Sequence, residues 1–370
     1  MFRFVHSSDL HLGKPFGRFE NDLPALLREA RYGALARLAE VARSNDAKVI
    51  LLAGDTFDAE TPTPTTIRHA LQAMAAARDL TWLILPGNHD SLAAMDLWRR
   101  VEEARPENVL VAFDSAPIVL GEAVILPAPC TARRPGRDLT NALDQYTPEG
   151  ALRIGLAHGA VTDFSEAGDP ALIPPDRASQ SELDYLALGD WHGQMQIGAR
   201  TWYSGTPEAD SFKHEEQASA LVVTLTGPGA EPEVSPVPTG EYAWTTARPD
   251  MLPGEDVEAR LSDLLPPVEA RRKTLFRLRP EGRLNLAERT LLEAAARAVR
   301  EDFGWFEAEL NGLAIHHDVT DLDGIDRAGA LRRAAEALWE EAQSPALSEE
   351  DREIAASALA RLYALASEVA

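Results

Sequence analysis

Short apolar runs alternate with amphipathic stretches over the first half of the chain. Phe2–His6, Lys48–Ala53 (KVILLA), Thr81–Leu85 (TWLIL), Ala151–Ala157 and Asp184–Leu188 have the length and composition of strands. KVILLA is apolar without alternation, which marks a strand covered on both faces. Between these runs, Leu26–Ala42 sets Leu27, Ala30, Ala34, Leu38 and Val41 along one helical face. Thr65–Ala77 is a second helix, announced by Pro62 and Pro64. Strand and helix in alternation predict an α/β fold with a mainly parallel sheet covered by helices.

After Tyr203 the pattern changes. Ala218–Leu225 and Glu233–Val237 read as an antiparallel pair around the turn Gly227-Pro228-Gly229, and Pro236 makes the second an edge strand. Residues 245–256 contain Pro249, Pro253 and Gly254 and read as a linker. Residues 257–315 form a small helix–strand–helix–strand unit, with Lys273–Arg279, Leu286–Glu301 and Trp305–Leu310 as its clearest parts. Two helical segments close the chain, the second opened by the capping box Ser348-Glu349-Glu350-Asp351. The expected division is a large domain over 1–240, a small α+β domain over 257–315 and a helical segment over 324–370.

The 370 residues exceed what one core usually serves, so at least two domains are expected. With 45% apolar and 26% charged residues, the composition is that of a soluble globular protein, and no apolar run has the length of a membrane span. MFRFVHSSDL lacks the charged head and long apolar stretch of a signal peptide. The single cysteine, Cys130, cannot form an internal disulfide, which fits a reducing cytoplasm and a packed thiol better than a nucleophile. The formal net charge of −23 counts against a protein that coats nucleic acid, because such binding rests on Lys and Arg neutralising phosphates. It leaves a nuclease open, since metal ions cancel part of the charge of a site.

Five polar segments each follow a predicted strand: Asp9-Leu10-His11, Gly54-Asp55-Thr56-Phe57-Asp58, Gly87-Asn88-His89-Asp90, His158-Gly159 and Gly189-Asp190-Trp191-His192. Ligands of open α/β sheets bind beyond the carboxyl ends of the strands, so these five segments aim at one place. Taken singly, a His or Asp at a strand end is a loop or cap residue; five in order are not explained that way. Carboxylate, imidazole and amide oxygen together suit Mn²⁺, Fe²⁺ or Zn²⁺, whereas three histidines argue against Mg²⁺ or Ca²⁺. Two such ions could clamp a phosphoryl group, with Asp55 as the natural bridging carboxylate.

The segments resemble the calcineurin-like metallophosphoesterase superfamily, with its DxH, GDxxD, GNHD, lone His and GHxH motifs. His6-Ser7-Ser8-Asp9-Leu10-His11-Leu12-Gly13 is similar more specifically to the SbcD-type DNA repair nucleases, including the YhaO-like branch. This resemblance implies a four-layer α/β sandwich with a small capping domain and a helical tail. It implies a first metal on Asp9, His11, Asp55 and His192, and a second on Asp55, Asn88, His158 and the residue at 190. It makes His89 the acid that protonates the leaving oxygen, oriented by Asp90, with Asp58 in a supporting role. The sequence departs from the family at Asp190, where a histidine is expected. A carboxylate there either binds the second ion directly and shifts its preference, or accepts a hydrogen bond from a ligating histidine.

Three surfaces are candidates for partners. Arg271, Lys273, Arg277 and Arg279 share one face of a predicted strand, placed either to contact DNA or to pair with nearby acidic residues such as Glu301 and Asp302. Arg133, Arg134 and Arg137 form a second basic strip in a Pro/Gly-rich loop. Ile354, Ala358, Leu362, Leu365 and Val369 line a stripe of the last helix. It packs within its own domain or, as the resemblance implies, docks on an SbcC-like coiled-coil ATPase. The sequence leaves a homodimer open. The reading is a metal-dependent phosphoesterase with two divalent ions, Mn²⁺ foremost, acting as a DNA exonuclease in repair. The rivals are a hydrolase of nucleotides or other small phosphoesters and a catalytically weakened scaffold for a partner ATPase.

Overall fold

The structure is a computed structural model that describes residues 1–161, 172–213, 216–315 and 329–369. They fall into two compact units, one from Met1 to Ala243 and one from Trp244 onward.

In the first unit, strands β1 (Phe2–Ser7), β2 (Val49–Leu52), β3 (Thr81–Ile84) and β4 (Val109–Val111) run parallel. The sheet is completed by β11 (Ser219–Leu225), antiparallel to β1, and by β12 (Glu233–Pro238) at its edge. A second six-stranded sheet has the order β5-β6-β7-β8-β10-β9: Ile118–Leu120, Ala123–Ala128, Leu152–His158, Tyr185–Gly189, Thr201–Tyr203 and Met195–Gly198. The expected parallel sheet is therefore two sheets, each with a parallel centre and an antiparallel edge.

The central strands of the first sheet bury both faces, which explains KVILLA. Ile50 and Leu52 pack with helices α1 (Leu23–Ser44), α2 (Pro64–Ala75) and α3 (Met95–Ala104). Val49 and Leu51 pack instead toward Ile154, Leu156 and Tyr185 of the second sheet. The outer face of that sheet lies under the single turn Thr140–Leu143 and the short helix α4 (Arg177–Gln180). Helices, sheet, sheet and helices make four layers, the α/β sandwich expected from the resemblance. Helix α2 begins where Thr63 Oγ1 accepts from the Thr66 N–H and Pro64 takes a first-turn position that needs no N–H.

The second unit holds two three-stranded sheets. One orders β13 (Ala243–Ala247), β15 (Thr274–Leu278) and β17 (Trp305–Ala308); the other orders β14 (Asp250–Met251), β16 (Glu281–Leu284) and β18 (Leu313–Ile315). Helices α5 (Val257–Leu264), α6 (Val268–Arg271) and α7 (Leu286–Val299) accompany them. Residues 245–256 are thus not a linker. They supply β13 and β14, and Met251 and Val257 are buried in the same core as Phe276 and Phe306. The prolines and glycine that suggested a linker bracket two strands too short to show a period. Arg271 ends a helix and does not share the strand of Arg277.

Two long helices, α8 (Ala330–Gln343) and α9 (Glu349–Val369), follow the residues left undescribed, so the start of the 324–370 segment and the Val369 side chain lie outside the described structure. On α9 the packed stripe is Ala355 and Leu359, flanked by Leu362 and Tyr363, one residue along from the expected one. Ile354 and Leu365 are exposed. Among the described residues no helix is long and apolar enough to cross a membrane.

His6 shows how tightly the two sheets are coupled. It is fully buried on β1, with Nδ1 bonded to the Tyr185 hydroxyl at 3.0 Å and Nε2 3.1 Å from the Leu188 carbonyl of β8. Burial pushes its pKa down to about 3, so the folded chain holds it neutral while the unfolded chain protonates it near the ordinary value. Its contribution to stability is fully present above about pH 6.5 and is lost as pH falls from there toward 3. Between those limits the loss is about 1.4 kcal/mol per pH unit. Chemical denaturation of wild type and His6→Gln across this range should show the steeper acid loss in wild type only.

Candidate metal centre

The carboxyl ends of β1, β2, β3, β7 and β8 meet at one edge of the sandwich. Beyond β1 and β2 the chain keeps pairing as irregular backbone: the N–H groups of Asp9, His11 and Leu12 donate to the carbonyls of Gly54, Asp55 and Thr56. Within this ladder Asp9, His11 and Asp55 have φ values of 55°, 43° and 55°, and Asp190 has 103°. Non-glycine residues pay for such conformations, and here four of them turn their side chains toward one point. The loops touch closely. A Cβ at Gly54 would lie 2.2 Å from His158 Nδ1, and one at Gly87 would lie 2.2 Å from Asp55 Oδ1.

Asp55 sits between two clusters. Its Oδ1 accepts from the His89 N–H at 2.9 Å. Its Oδ2 lies 3.6 Å from His11 Nε2 on one side and 3.5 Å from His158 Nε2 on the other. On the first side His11 Nε2 is 3.2 Å from His192 Nε2, and both are 3.9 Å from Asp9 Oδ1. On the second side Asp190 Oδ1 lies 3.7 Å from His158 Nε2 and accepts from Asn88 Nδ2 at 2.9 Å. All seven expected ligands are therefore brought together: Asp9, His11, Asp55, Asn88, His158, Asp190 and His192.

Four histidines share one orientation. The Nδ1 atom of His158 donates to the Ala53 carbonyl at 2.8 Å, and that of His89 to the Asp58 carbonyl at 2.8 Å. His11 Nδ1 faces Asp58 Oδ1 and His192 Nδ1 faces Asp210 Oδ1, each at 3.2 Å. With Nδ1 turned to these oxygens, Nε2 is left for the centre, the arrangement that orients metal-binding imidazoles. Asp58 thus lies beside both His11, through its carboxylate, and His89, through its carbonyl.

Asp90 is corrected. It does not orient the His89 ring, because its two oxygens accept the N–H groups of Gly87 at 2.7 Å and Phe57 at 2.9 Å. It ties the loop after β3 to the loop after β2, and the Asp58 carbonyl takes the role assigned to it. Burial and the neighbouring Asp55 push the Asp90 carboxyl up to about 7.

The donor set fits divalent cations. His158 Nε2 is buried with no hydrogen-bond partner, although it points at two carboxylates. Burial opposes every charge here, yet His158 is held well above its ordinary pKa by Asp55, and Asp55 is held below its own by His158 and His11. Burial raises Asp190 and lowers His11. Carboxylates concentrated in so dry a place call for positive charge, and imidazole with carboxylate is the ligand chemistry of divalent transition metals.

Two residues carry this centre without belonging to any motif. Arg31 is a fully buried guanidinium on α1 that donates to the carbonyls of Asp9, Leu10 and Glu208. A charged residue inside the buried stripe Leu27-Ala30-Ala34 was its only signal in the sequence. Asp210 follows β10, faces His192 and accepts from Lys14 at 2.5 Å. Its carboxyl stays well below the usual range because His192, Arg31 and Lys14 outweigh burial.

Of the basic strips, one is neutralised. Arg277 pairs with Glu307 at 3.0 Å and Glu309 at 3.2 Å, Arg279 with Glu309 at 2.8 Å, and Arg271 with Asp302 at 3.1 Å. The expectation that Lys273, Arg277 and Arg279 present a cationic face to DNA is corrected at the two arginines: register sets β17 alongside β15 and brings Glu307, with Glu309 just after the strand, opposite them. Arg133, Arg134 and Arg137 are exposed in the loop after β6. That loop starts at the centre's edge, since Cys130 donates its N–H to Pro86 and accepts from Leu92. Cys130 itself is buried against the His158 carbonyl, and burial pushes its thiol up to about 12.

The sequence profile of the calcineurin-like phosphoesterases matches residues 2–171. The chain carries a calcineurin-like phosphoesterase domain. Curated relatives include a DNA double-strand break repair protein Mre11 of Methanosarcina acetivorans, 24% identical over 67% of this chain and 41% of its own length. The metallophosphoesterase YhaO of Bacillus subtilis is 25% identical over 60% of this chain and 57% of its own. The SbcD component of the nuclease SbcCD of Escherichia coli is 31% identical over 57% of this chain and 61% of its own. The chain thus spans 41% to 61% of the length of these relatives. Five of the seven candidate donors lie inside the matched span; Asp190, His192 and the latter's partner Asp210 lie beyond it.

Asp210→Asn should leave the fold intact but loosen the His192 ring. Calorimetric titration with Mn²⁺ should then show metal affinity lowered about 10–100-fold, the usual effect of losing such a support.

Proposed function

We propose that this chain is a two-metal phosphodiester hydrolase acting on DNA, an exonuclease of repair that works with Mn²⁺. The observation that carries the reading is the position of Asp55, whose Oδ2 faces His11 and His158 at nearly equal distances and so belongs to both clusters. Asp9, His11, Asp55 and His192 would hold one ion, and Asp55, Asn88, His158 and Asp190 the other. Such a pair of ions supplies Lewis-acid polarisation of a phosphoryl group and activation of water.

The protein's own part begins with His89. Its Nδ1 is fixed on the Asp58 carbonyl, and its ring stands edge-on to His11 with centroids 4.8 Å apart. Protonated on Nε2, it would give that proton to the departing oxygen, the part of a general acid. Asp90 holds the loop that carries His89, so it is a positioning residue.

DNA is the favoured substrate for two reasons. The relatives named as Mre11 and as part of a nuclease share the domain. Arg133, Arg134 and Arg137 are also exposed on a loop that starts at the centre's edge, and phosphates of a longer substrate would find cations there. The exposed Ile354 and Leu365 of α9 are the face on which a coiled-coil ATPase would dock.

Asp55→Asn should abolish hydrolysis and most metal binding, read by metal analysis after dialysis. His89→Asn should retain both ions and lose about 10²–10⁴-fold in rate. Loss of metal in that variant would make His89 a ligand instead. Linear duplex DNA compared with nucleotide monoesters decides the substrate. Replacing the three loop arginines by alanine should weaken DNA binding and flatten its salt dependence, leaving small-ester hydrolysis unchanged.

A further inference from the structure

We propose that the two halves of the centre are built for different ions, a borderline ion such as Zn²⁺ in the first and a harder one, Mn²⁺ or Mg²⁺, in the second, with Asp190 setting the difference. This rests on the two-ion reading above, but not on DNA being the substrate.

The donors are unequal. Around the first half stand two imidazoles, His11 and His192, with the carboxylates of Asp9 and Asp55. Around the second stands a single imidazole, His158, with the carboxylates of Asp55 and Asp190 and the amide of Asn88. Asn88 gives its amide N–H to Asp190, which leaves the amide oxygen as its donor toward an ion. The first half thus offers two nitrogens and two oxygens, and the second one nitrogen and three oxygens. Imidazole favours zinc and iron, whereas carboxylate and carbonyl oxygens favour manganese and magnesium.

Asp190 is committed to this place by the backbone. Its φ of 103° is a conformation that L-residues avoid, and its N–H is bonded to the Asp9 carboxylate at 3.2 Å. The side chain is therefore aimed from a fixed main chain into the gap beside His158 and Asn88. It adds a third carboxylate to those of Asp9 and Asp55, and all three crowd one small, largely buried space. Extra negative charge around a single imidazole strengthens the hold on a hard dication more than on a soft one.

The test loads chelator-treated protein with two equivalents of Zn²⁺ and a large excess of Mn²⁺, removes loose metal, and measures content by mass spectrometry with electron paramagnetic resonance of the manganese. Wild type should keep one zinc and one manganese per chain, and the manganese should show the hyperfine pattern of an isolated ion beside a diamagnetic neighbour. Asp190→His should take zinc in both halves under the same loading. Asp190→Asn should keep the mixed occupancy but bind the second ion about 10–100-fold more weakly, while the first ion is unchanged. Two zincs or a spin-coupled manganese pair in wild type overturns the proposal. So does an Asp190→His variant with the wild-type metal profile. A mixed centre that fails to cut DNA would sink the nuclease reading and leave this one standing.

Discussion

One carboxylate has to serve two clusters of imidazoles at once, and the first unit is arranged around that demand. Asp55 can face both His11 and His158 only if the loops after β1, β2, β3 and β7 approach within van der Waals contact. Close approach excludes side chains at Gly54 and Gly87 and forces left-handed backbone on Asp9, His11 and Asp55. Strain of this kind persists only when its surroundings over-determine it. Those surroundings are visible: a ladder of backbone bonds between the first two loops, the Asp90 clasp between the second and third, and the Arg31 guanidinium beneath.

Arg31 illustrates the cost of such a centre. A fully buried guanidinium is expensive to desolvate and is tolerated when its donors are satisfied. Its three bonds to main-chain carbonyls use it as a rivet between helix α1, the Asp9 loop and the segment after β10, with Asp210 and Glu208 balancing its charge. The positive charge lies behind the ligand loops, where it offsets part of the repulsion among the site's carboxylates without occupying the place of an ion.

Much of this was legible in the sequence because the ligands follow strands, and strands announce themselves by apolar runs. The seven positions proposed as ligands could be named from motif and context. What stayed hidden was held by backbone geometry. Asp210 faces His192 only because a loop with no motif folds back, and the Asp58 carbonyl is a main-chain atom that no side-chain pattern reports. The second unit was harder to read. Strands of two to five residues, such as Asp250–Met251, are too short to display a period, so a proline-rich pair of strands passed for a linker. Glu307 on β17 and Glu309 just beyond it pair with Arg277 and Arg279 through a parallel register that no single strand discloses.

Cys130 gives the molecule a practical property. The chain's one thiol lies under the loop that carries Asn88 and His89, sealed from water and held in its protonated form well above neutral pH. Maleimides and disulfide reagents attack thiolates, so the native protein is chemically silent toward them. A cysteine introduced anywhere on the surface becomes the sole reactive handle. Spectroscopic probes can then be placed at will without first removing a residue that packs against the His158 main chain.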